Sequence, residues 1–404
     1  MITPVRLARF ALVLLVVLAA RVAGAADAHS ACDYLTRTIQ AQPGSALFLV
    51  SYPAVEHGPL QQAAFLYDNA VAAIALVACG QAAQARRIGD AMLLALEHDR
   101  YWRDGRLRNA YAAGAVSEAP LKLPGWWDAA AGRWFEDGYE VSSDSGNMAW
   151  AMLALLTLDM HADDRYRRGA VRIAEWLALL RDERGAGGFT GGYFGHEPEP
   201  HHLRWKSTEH NVDLAAAFAR LGAISADAQW AAQAAAAASF VDSMWSAQRG
   251  AFAVGTGTDG QTINPMLALD AQIWPLLALP LASERYGAAL TLGAASLRSG
   301  QGYSYSDAGG GVWTEGCAQM VVLLKRLHRT ASARTTAAAV AAARAPDGGY
   351  YATAMAELPT GFMLATDPSK PRMYLHLEHL GASAWAALAE QGFNPFTGAR
   401  SLPH

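Results

Sequence analysis

The amino-acid sequence predicts an all-α fold, an (α/α)6 barrel or toroid of six inner and about six outer helices with short glycine-aromatic hairpins and loops at its mouth. Three observations predict it. Six segments are apolar almost all round yet open on polar or small residues, amphipathic segments lie between them, and glycine-aromatic stretches follow most of the amphipathic ones. A helix apolar on every side must be buried on every side, so the six segments read as an inner layer and the amphipathic ones as an outer layer. The order outer helix, loop, inner helix recurs about six times with unequal spacing. That suits a closed ring with specialised loops better than an open solenoid of near-identical units.

In chain order, residues 1–25 come first. Arg6 and Arg9 supply a positive start, Phe10 to Ala20 an apolar run too short to span a bilayer, and Ala23 to Ala25 small residues for cleavage. Residues 1–25 therefore read as a signal peptide and 26–404 as one barrel domain of an exported protein, periplasmic or secreted. An uncleaved signal anchor is the second reading and the one expected route to a membrane. An outer helix around CDYLTRTIQAQ from Cys32 precedes the first inner helix, YDNAVAAIALVACG from Tyr67. The outer ARRIGDAMLLALEHD from Ala85 leads to the inner GNMAWAMLALLTL from Gly146. The outer RYRRGAVRIAEWLALLRDE from Arg165 and the loop GGFTGGYFG from Gly187 lead to EHNVDLAAAFARLG from Glu209. AQWAAQAAAAASFVDSMWSAQ from Ala228 and GAFAVGTGTDG from Gly250 precede the inner LDAQIWPLLALP from Leu269. ASERYGAALTLGAASLRS from Ala282 and GYSYSDAGGGVW from Gly302 precede TEGCAQMVVLLKRL from Thr314. TTAAAVAAARA from Thr335 and DGGYYATA from Asp347 precede the last inner helix, LGASAWAALAEQG from Leu380.

Composition excludes several classes. With 52% hydrophobic residues the chain can fill a large core, which rules out disorder. A formal charge of −4 leaves no basic footprint for nucleic acid. No GxGxxG or Walker motif occurs, and GTGTDG from Gly255 lacks the lysine of a phosphate loop, so no nucleotide and no cofactor is expected. GHEPEPHHLRW holds His196, His201 and His202 with Glu197 and Glu199, but the spacing matches no zinc signature and reads as a solvated loop. Three cysteines, Cys32, Cys79 and Cys317, allow one disulfide and no disulfide scaffold. A monomer is expected.

At the inner-helix starts the motifs YDNA, GNMAW, WKSTEHNVDL, LDAQIW, VWTEGCAQM and LEHLGASAW give a resemblance over roughly Asp33 to Phe396. The sequence resembles the six-hairpin, or (α/α)6-barrel, superfamily of carbohydrate-active enzymes, which includes glycoside hydrolases, polysaccharide lyases and sugar epimerases. The resemblance implies a carbohydrate partner and a sugar-binding cleft at the barrel mouth that carries the inner-helix starts. It hands over no catalytic pair.

Read without any family, the carboxylates near these starts are Asp68, Asp144, Glu209, Asp213, Asp270, Glu315 and Glu378. In a closed ring they converge on one mouth, and glycoside cleavage needs one carboxyl to protonate the leaving oxygen and another to activate water or attack carbon. The competing reading is helix capping, since acids in a first turn suit the dipole and Ser207, Thr208 and Thr314 make good caps. Capping accounts for Glu209 but not for Asp213, one turn later on the same face, so Asp213 should face a polar cavity or pair with Arg204 or His210. Glu209, Glu315 and Asp144 are therefore the candidate catalytic residues, in that order. The candidate substrate-binding residues are Asp68, Asn69, Asn147, Trp205, His210, Asp213, Asp270, Gln272, Trp313, Gln319, Tyr374, His376 and Glu378, with Tyr303 and Tyr305 as further aromatic walls. These readings point to an exported glycoside hydrolase acting on a polysaccharide or oligosaccharide. A lyase on a uronate polymer, with Tyr374, His376 and Arg372, is the alternative, and a non-catalytic sugar-binding protein on the same barrel is another.

Overall fold

The structure, a computed structural model, describes residues 30–116, 121–159 and 164–401, so the signal-peptide reading of residues 1–25 lies outside the described residues. Six nearly all-round buried helices alternate with more exposed ones. In chain order the helices are α1 (Ala31–Gln40), α2 (Leu66–Ala78), α3 (Ala82–His98), α4 (Ser145–Asp159), α5 (Asp164–Ala178), α6 (Thr208–Ser225), α7 (Ala228–Ser243), α8 (Leu269–Ala278), α9 (Ala282–Arg285), α10 (Thr314–Arg326), α11 (Thr330–Ala342) and α12 (Leu380–Gln391). The even-numbered helices are the buried ones, and each starts within one residue of the position read from the sequence. Each packs against the next, α2 on α4, α4 on α6, α6 on α8, α8 on α10 and α10 on α12, and α12 packs back on α2. The odd-numbered helices pack outside them, as α3 does on α2 and α7 on α6.

The fifth outer helix is where the structure departs from the sequence reading. Rather than one helix from Ala282 to Ser299, the chain forms the single turn α9, a π turn at Ala289–Gly293 and a 3-10 turn at Ala294–Leu297. Gly293 sits where a β-carbon would meet the Gln272 side-chain oxygen at 2.7 Å, so the chain runs close to α8 here. Its partner α8 is itself short, with Pro275 inside it.

The glycine-aromatic stretches supply short antiparallel strands, so the fold is helix-rich with a fringe of small sheets rather than purely helical. Ser143–Asp144, Gly192–Phe194 and His201–Leu203 make one sheet, and Lys206–Ser207, Gly255–Thr256 and Ile263–Asn264 another. Gly255 shows why glycine is needed, since its φ is +149° and a β-carbon would lie 2.0 Å from the Lys206 carbonyl oxygen. A longer hairpin, β1 (Glu357–Met363) and β2 (Pro371–Leu375), stands ahead of α12. Cys32 and Cys79 form a disulfide that ties α1 to the end of α2.

One device recurs at all six buried helices. The fourth residue of each, Asn69, Met148, Asn211, Gln272, Cys317 and Ser383, accepts a hydrogen bond from the backbone N–H of an incoming loop residue, respectively Leu49, Leu107, Phe189, Phe252, Tyr303 and Tyr350. The three amides also donate back to the carbonyl of the same residue, at 2.8 to 3.1 Å. Each loop is thereby clipped to the start of its own helix. A buried backbone N–H left unpaired costs about 1–3 kcal/mol, which is why a polar or sulfur atom occurs there in otherwise apolar helices.

Candidate active site

The starts of the buried helices surround a cavity of about 580 Å³. Its floor is aromatic. Trp150 and Trp274, the sixth residues of α4 and α8, have ring centroids 5.6 Å apart, and both pack on Phe396 and on Trp385, the sixth residue of α12. Asp213 and Gln319 hold the equivalent positions of α6 and α10.

The second residues of five of the six buried helices line the space above that floor, and three of the six second residues are acids: Glu209, Asp270 and Glu315. Two others are glycines with a packing reason. A β-carbon on Gly146 would lie 2.6 Å from the His210 ring, and one on Gly381 would lie 2.7 Å from Asp68 Oδ1 and 3.1 Å from Glu315 Oε2. The sixth is Tyr67. The sequence thus leaves two sectors of the ring empty so that side chains from neighbouring helices can meet.

Two carboxyl clusters result. In the first, Glu209 and Asp270 sit side by side with Asp213 one turn deeper; among the described residues no cation forms an ion pair with them, though the Arg372 charge acts on Glu209 and Asp270. Burial, then the neighbouring Asp270 and Asp213 carboxyls, hold Glu209 well above the usual carboxylate range. Burial likewise raises Asp270 to about 6 against a hydrogen bond from Glu209, so the two carboxyls favour holding a proton between them. Burial and the Asp270 charge also hold Asp213 well above its ordinary value. Among the described residues Asp213 makes no ion pair with Arg204 or His210; it faces the cavity.

In the second cluster, Glu315 Oε1 accepts from Tyr67 Oη at 2.5 Å and from Gln319 Nε2 at 3.1 Å. The phenol oxygen in turn accepts from Trp385 Nε1 at 2.8 Å, and Trp274 Nε1 donates to the Gln319 oxygen at 2.9 Å. His379 lies between two acids, its Nε2 3.1 Å from Asp68 Oδ2 and its Nδ1 3.8 Å from Glu315 Oε2, with Tyr52 stacked on it at 4.7 Å. Burial works against protonation of His379, but Asp68 and Glu315 outweigh it and raise its pKa. Burial raises Glu315 to about 7, and the His379 charge and the Tyr67 hydrogen bond hold it from going higher.

The sequence-predicted residues divide sharply. Asp68, Asn147, Glu209, His210, Asp213, Asp270, Trp313, Glu315 and Tyr374 line the cavity. Gln319 is fully buried and reaches it through Glu315 and Trp274. Asn69 and Gln272 do not face it, because their amides are spent on the loop clips described above. Asp144 is buried just behind the lining, where its backbone N–H donates to Asn109 and burial raises its carboxyl to about 7. Trp205 packs over Gly191 and edge-on to His210, outside the lining. His376 is exposed, stacked on Tyr351 with its Nδ1 2.7 Å from the Thr353 carbonyl oxygen, and Glu378 bridges to Tyr351 away from the cavity.

Capping is also resolved. Ser207 Oγ caps α6 by accepting from the His210 N–H, and Thr208 Oγ1 donates to the Ala253 carbonyl, so Glu209 is free of both duties. Tyr52, Tyr67, Tyr139, Trp150, Trp274 and His379 also line the cavity and were not among the candidates. Tyr67, Trp150, Trp274 and His379 could have been found by aligning the six helix starts in register. Tyr52 and Tyr139 come from loops with no such repeat. The histidine-rich loop is not a metal cluster: Glu197 pairs with Arg100 and Arg108, and His202 Nε2 lies 2.7 Å from Thr190 Oγ1.

No family model and no curated protein matches this sequence. Solved structures do match in fold. A wild-type glycosidase is 15% identical with a TM-score of 0.59, covering 89% of this chain and 95% of its own. A family 76 glycoside hydrolase from a bovine Bacteroides thetaiotaomicron strain is 11% identical with a TM-score of 0.59, covering 89% of this chain and 76% of its own. An alpha-amylase from Clostridium perfringens is 9% identical with a TM-score of 0.58, covering 90% and 97%. At these identities the likeness is one of fold, that of helical-barrel glycosidases.

Proposed function

We propose that this chain is a single (α/α)6-barrel glycoside hydrolase, with Glu209 as the acid that protonates the leaving oxygen and Glu315 as the carboxylate that activates water or attacks the anomeric carbon. The observation that carries this reading is the contrast between the two clusters on one cavity. Glu209 shares a proton with Asp270 where burial and the neighbouring carboxyls outweigh the charge of Arg372, whereas Tyr67 and His379 limit how far burial raises Glu315. Burial raises both carboxyls, but Glu315 stops at about 7 while Glu209 lies well above the usual carboxylate range, and such a difference between an acid and a carboxylate is what acid-assisted glycoside cleavage requires. The aromatic floor offers apolar faces to a sugar ring, and the glycosidase neighbours support a carbohydrate substrate.

A lyase reading fits less well. Its base is a tyrosine or histidine, and burial holds Tyr305 and Tyr374 well above their ordinary values. Incubating the protein with a panel of neutral, uronate and amino-sugar polymers, while following reducing ends and the absorbance of unsaturated products, separates the readings. Reducing ends without absorbance support hydrolysis, absorbance supports the lyase, and neither supports a sugar-binding protein. The Cys32–Cys79 disulfide supports the proposal of export, since such bonds persist in oxidising compartments. N-terminal sequencing of the exported protein should then begin near Ala26.

A further inference from the structure

The mouth of the cavity holds hydrogen-bond donors that the protein itself leaves unused. Arg372 on β2 is the one Lys or Arg in the lining, and among the described residues its guanidinium makes no ion pair and no hydrogen bond. The phenols of Tyr374, Tyr139, Tyr305 and Tyr52 surround it, and its charge also acts on the carboxyls of Glu209, Asp270 and Asp144. Tyr374 stands two residues along the same strand and so on the same face. The hydroxyls of Tyr52, Tyr305 and Tyr374 bond to no protein group among the described residues, although all three rings line the cavity.

A neutral sugar does not call for this set. Its hydroxyls donate as readily as they accept, and the acids below already offer acceptors. A guanidinium with no carboxylate in contact, ringed by phenols that burial keeps protonated, is complementary to a group that only accepts. The planar fork of arginine suits an oxyanion best, through two parallel N–H···O bonds. Three acids of the lining offset little of its charge at neutral pH, because burial keeps Glu209 and Asp213 well above the usual carboxylate range and Glu140 near 9; the charge carried by Asp270 and Glu315 forms no ion pair with it among the described residues.

We propose that the cavity accepts an acidic saccharide, whose anionic substituent is received by Arg372 together with the hydroxyls of Tyr52, Tyr305 and Tyr374. This rests on the carbohydrate reading above and names a substrate class within it. The substituent is a uronic carboxylate or a sulfate ester, which present the same acceptor chemistry.

The test is calorimetric binding to the mature chain carrying Glu209→Gln, which holds cleavage off. The probes are a uronic-acid oligosaccharide, an O-sulfated hexose oligosaccharide and a neutral hexose oligosaccharide of equal length. At least one acidic probe should bind about tenfold or more tighter than the neutral one and weaken as salt is raised. Adding Arg372→Ala should weaken that probe by about 30-fold and leave the neutral one within about twofold, with Arg372→Lys intermediate because it keeps the charge and loses the fork. Arg372 is exposed, so far-ultraviolet dichroism and the melting temperature should be unchanged in both variants. Neutral binding as tight as acidic, acidic binding indifferent to Arg372, or no acidic binding overturns the inference. Reducing-end release by the unmutated protein is read separately. Acidic binding without it removes the hydrolase reading and leaves this one standing, and cleavage of neutral probes without acidic binding does the reverse.

Discussion

Glu209 and Asn211 stand two residues apart in the first turn of α6, both polar, both near the start of an apolar helix, and they do opposite things. Glu209 occupies the second position and faces the cavity, whereas Asn211 occupies the fourth and turns outward to clip Phe189 through its N–H and carbonyl. The same division holds round the ring. Second positions change chemistry from sector to sector, running through Tyr67, Gly146, Glu209, Asp270, Glu315 and Gly381, while fourth positions repeat one hydrogen bond with five different residue types. A polar group at a helix start is therefore a site candidate in one register and a structural clip two residues later. The 3.6-residue turn decides which, because two residues rotate a side chain by about 200° round the helix.

The strongest way to break this comparison is Glu209→Gln. If the second position serves chemistry alone, activity on a cleaved polymer should fall by about 10²- to 10⁴-fold while the melting temperature holds or rises. Near-wild-type turnover would remove Glu209 from the reaction. Asn211→Ala should do the converse. Thermal unfolding should show a loss of about 2 kcal/mol, because the Phe189 N–H and carbonyl are left unpaired in a buried place, with kcat of the folded fraction little changed.

His379→Gln tests the second cluster more finely. The His379 charge holds the Glu315 pKa down, so removing it should raise that pKa above about 7. A base must be ionised, so the acidic limb of the kcat/KM profile should move to higher pH, with about a tenfold loss at pH 6. An unmoved limb would separate His379 from the reacting carboxylate. The smallest effect is at Glu140, which is 2% exposed with both oxygens unpartnered and a pKa pushed by burial to about 9. Its folded pKa exceeds the unfolded one, so the stability it contributes is full below about pH 4.5 and lost as the pH rises toward 9. Glu140→Gln should match the parent near pH 4 and be the more stable of the two near pH 8, by denaturant unfolding.

Much of this architecture was legible from patterning. The six buried helices start within one residue of where the apolar runs begin, since a helix buried all round has no polar face to confuse its bounds. The fifth outer helix was misread, because its residues carry good helix propensity while the chain there forms a π turn and a 3-10 turn close against α8, a packing that no local propensity records. The site was legible in part. Glu209, Asp213, Asp270 and Glu315 were marked by the cost of acids in apolar helices, yet Asn69 and Gln272 carried the same mark and proved to be clips.

What the sequence by itself determined is the alternation of buried and covering helices and the set of helix starts from which a site could be built. Those follow from hydrophobic period, which is local. Tertiary structure alone decided which polar groups meet, because Glu209 with Asp270, Tyr67 with Glu315, and Asp68 with His379 join residues 61, 248 and 311 positions apart. Their protonation follows from that meeting, since burial and neighbouring charge exist only once the ring is assembled.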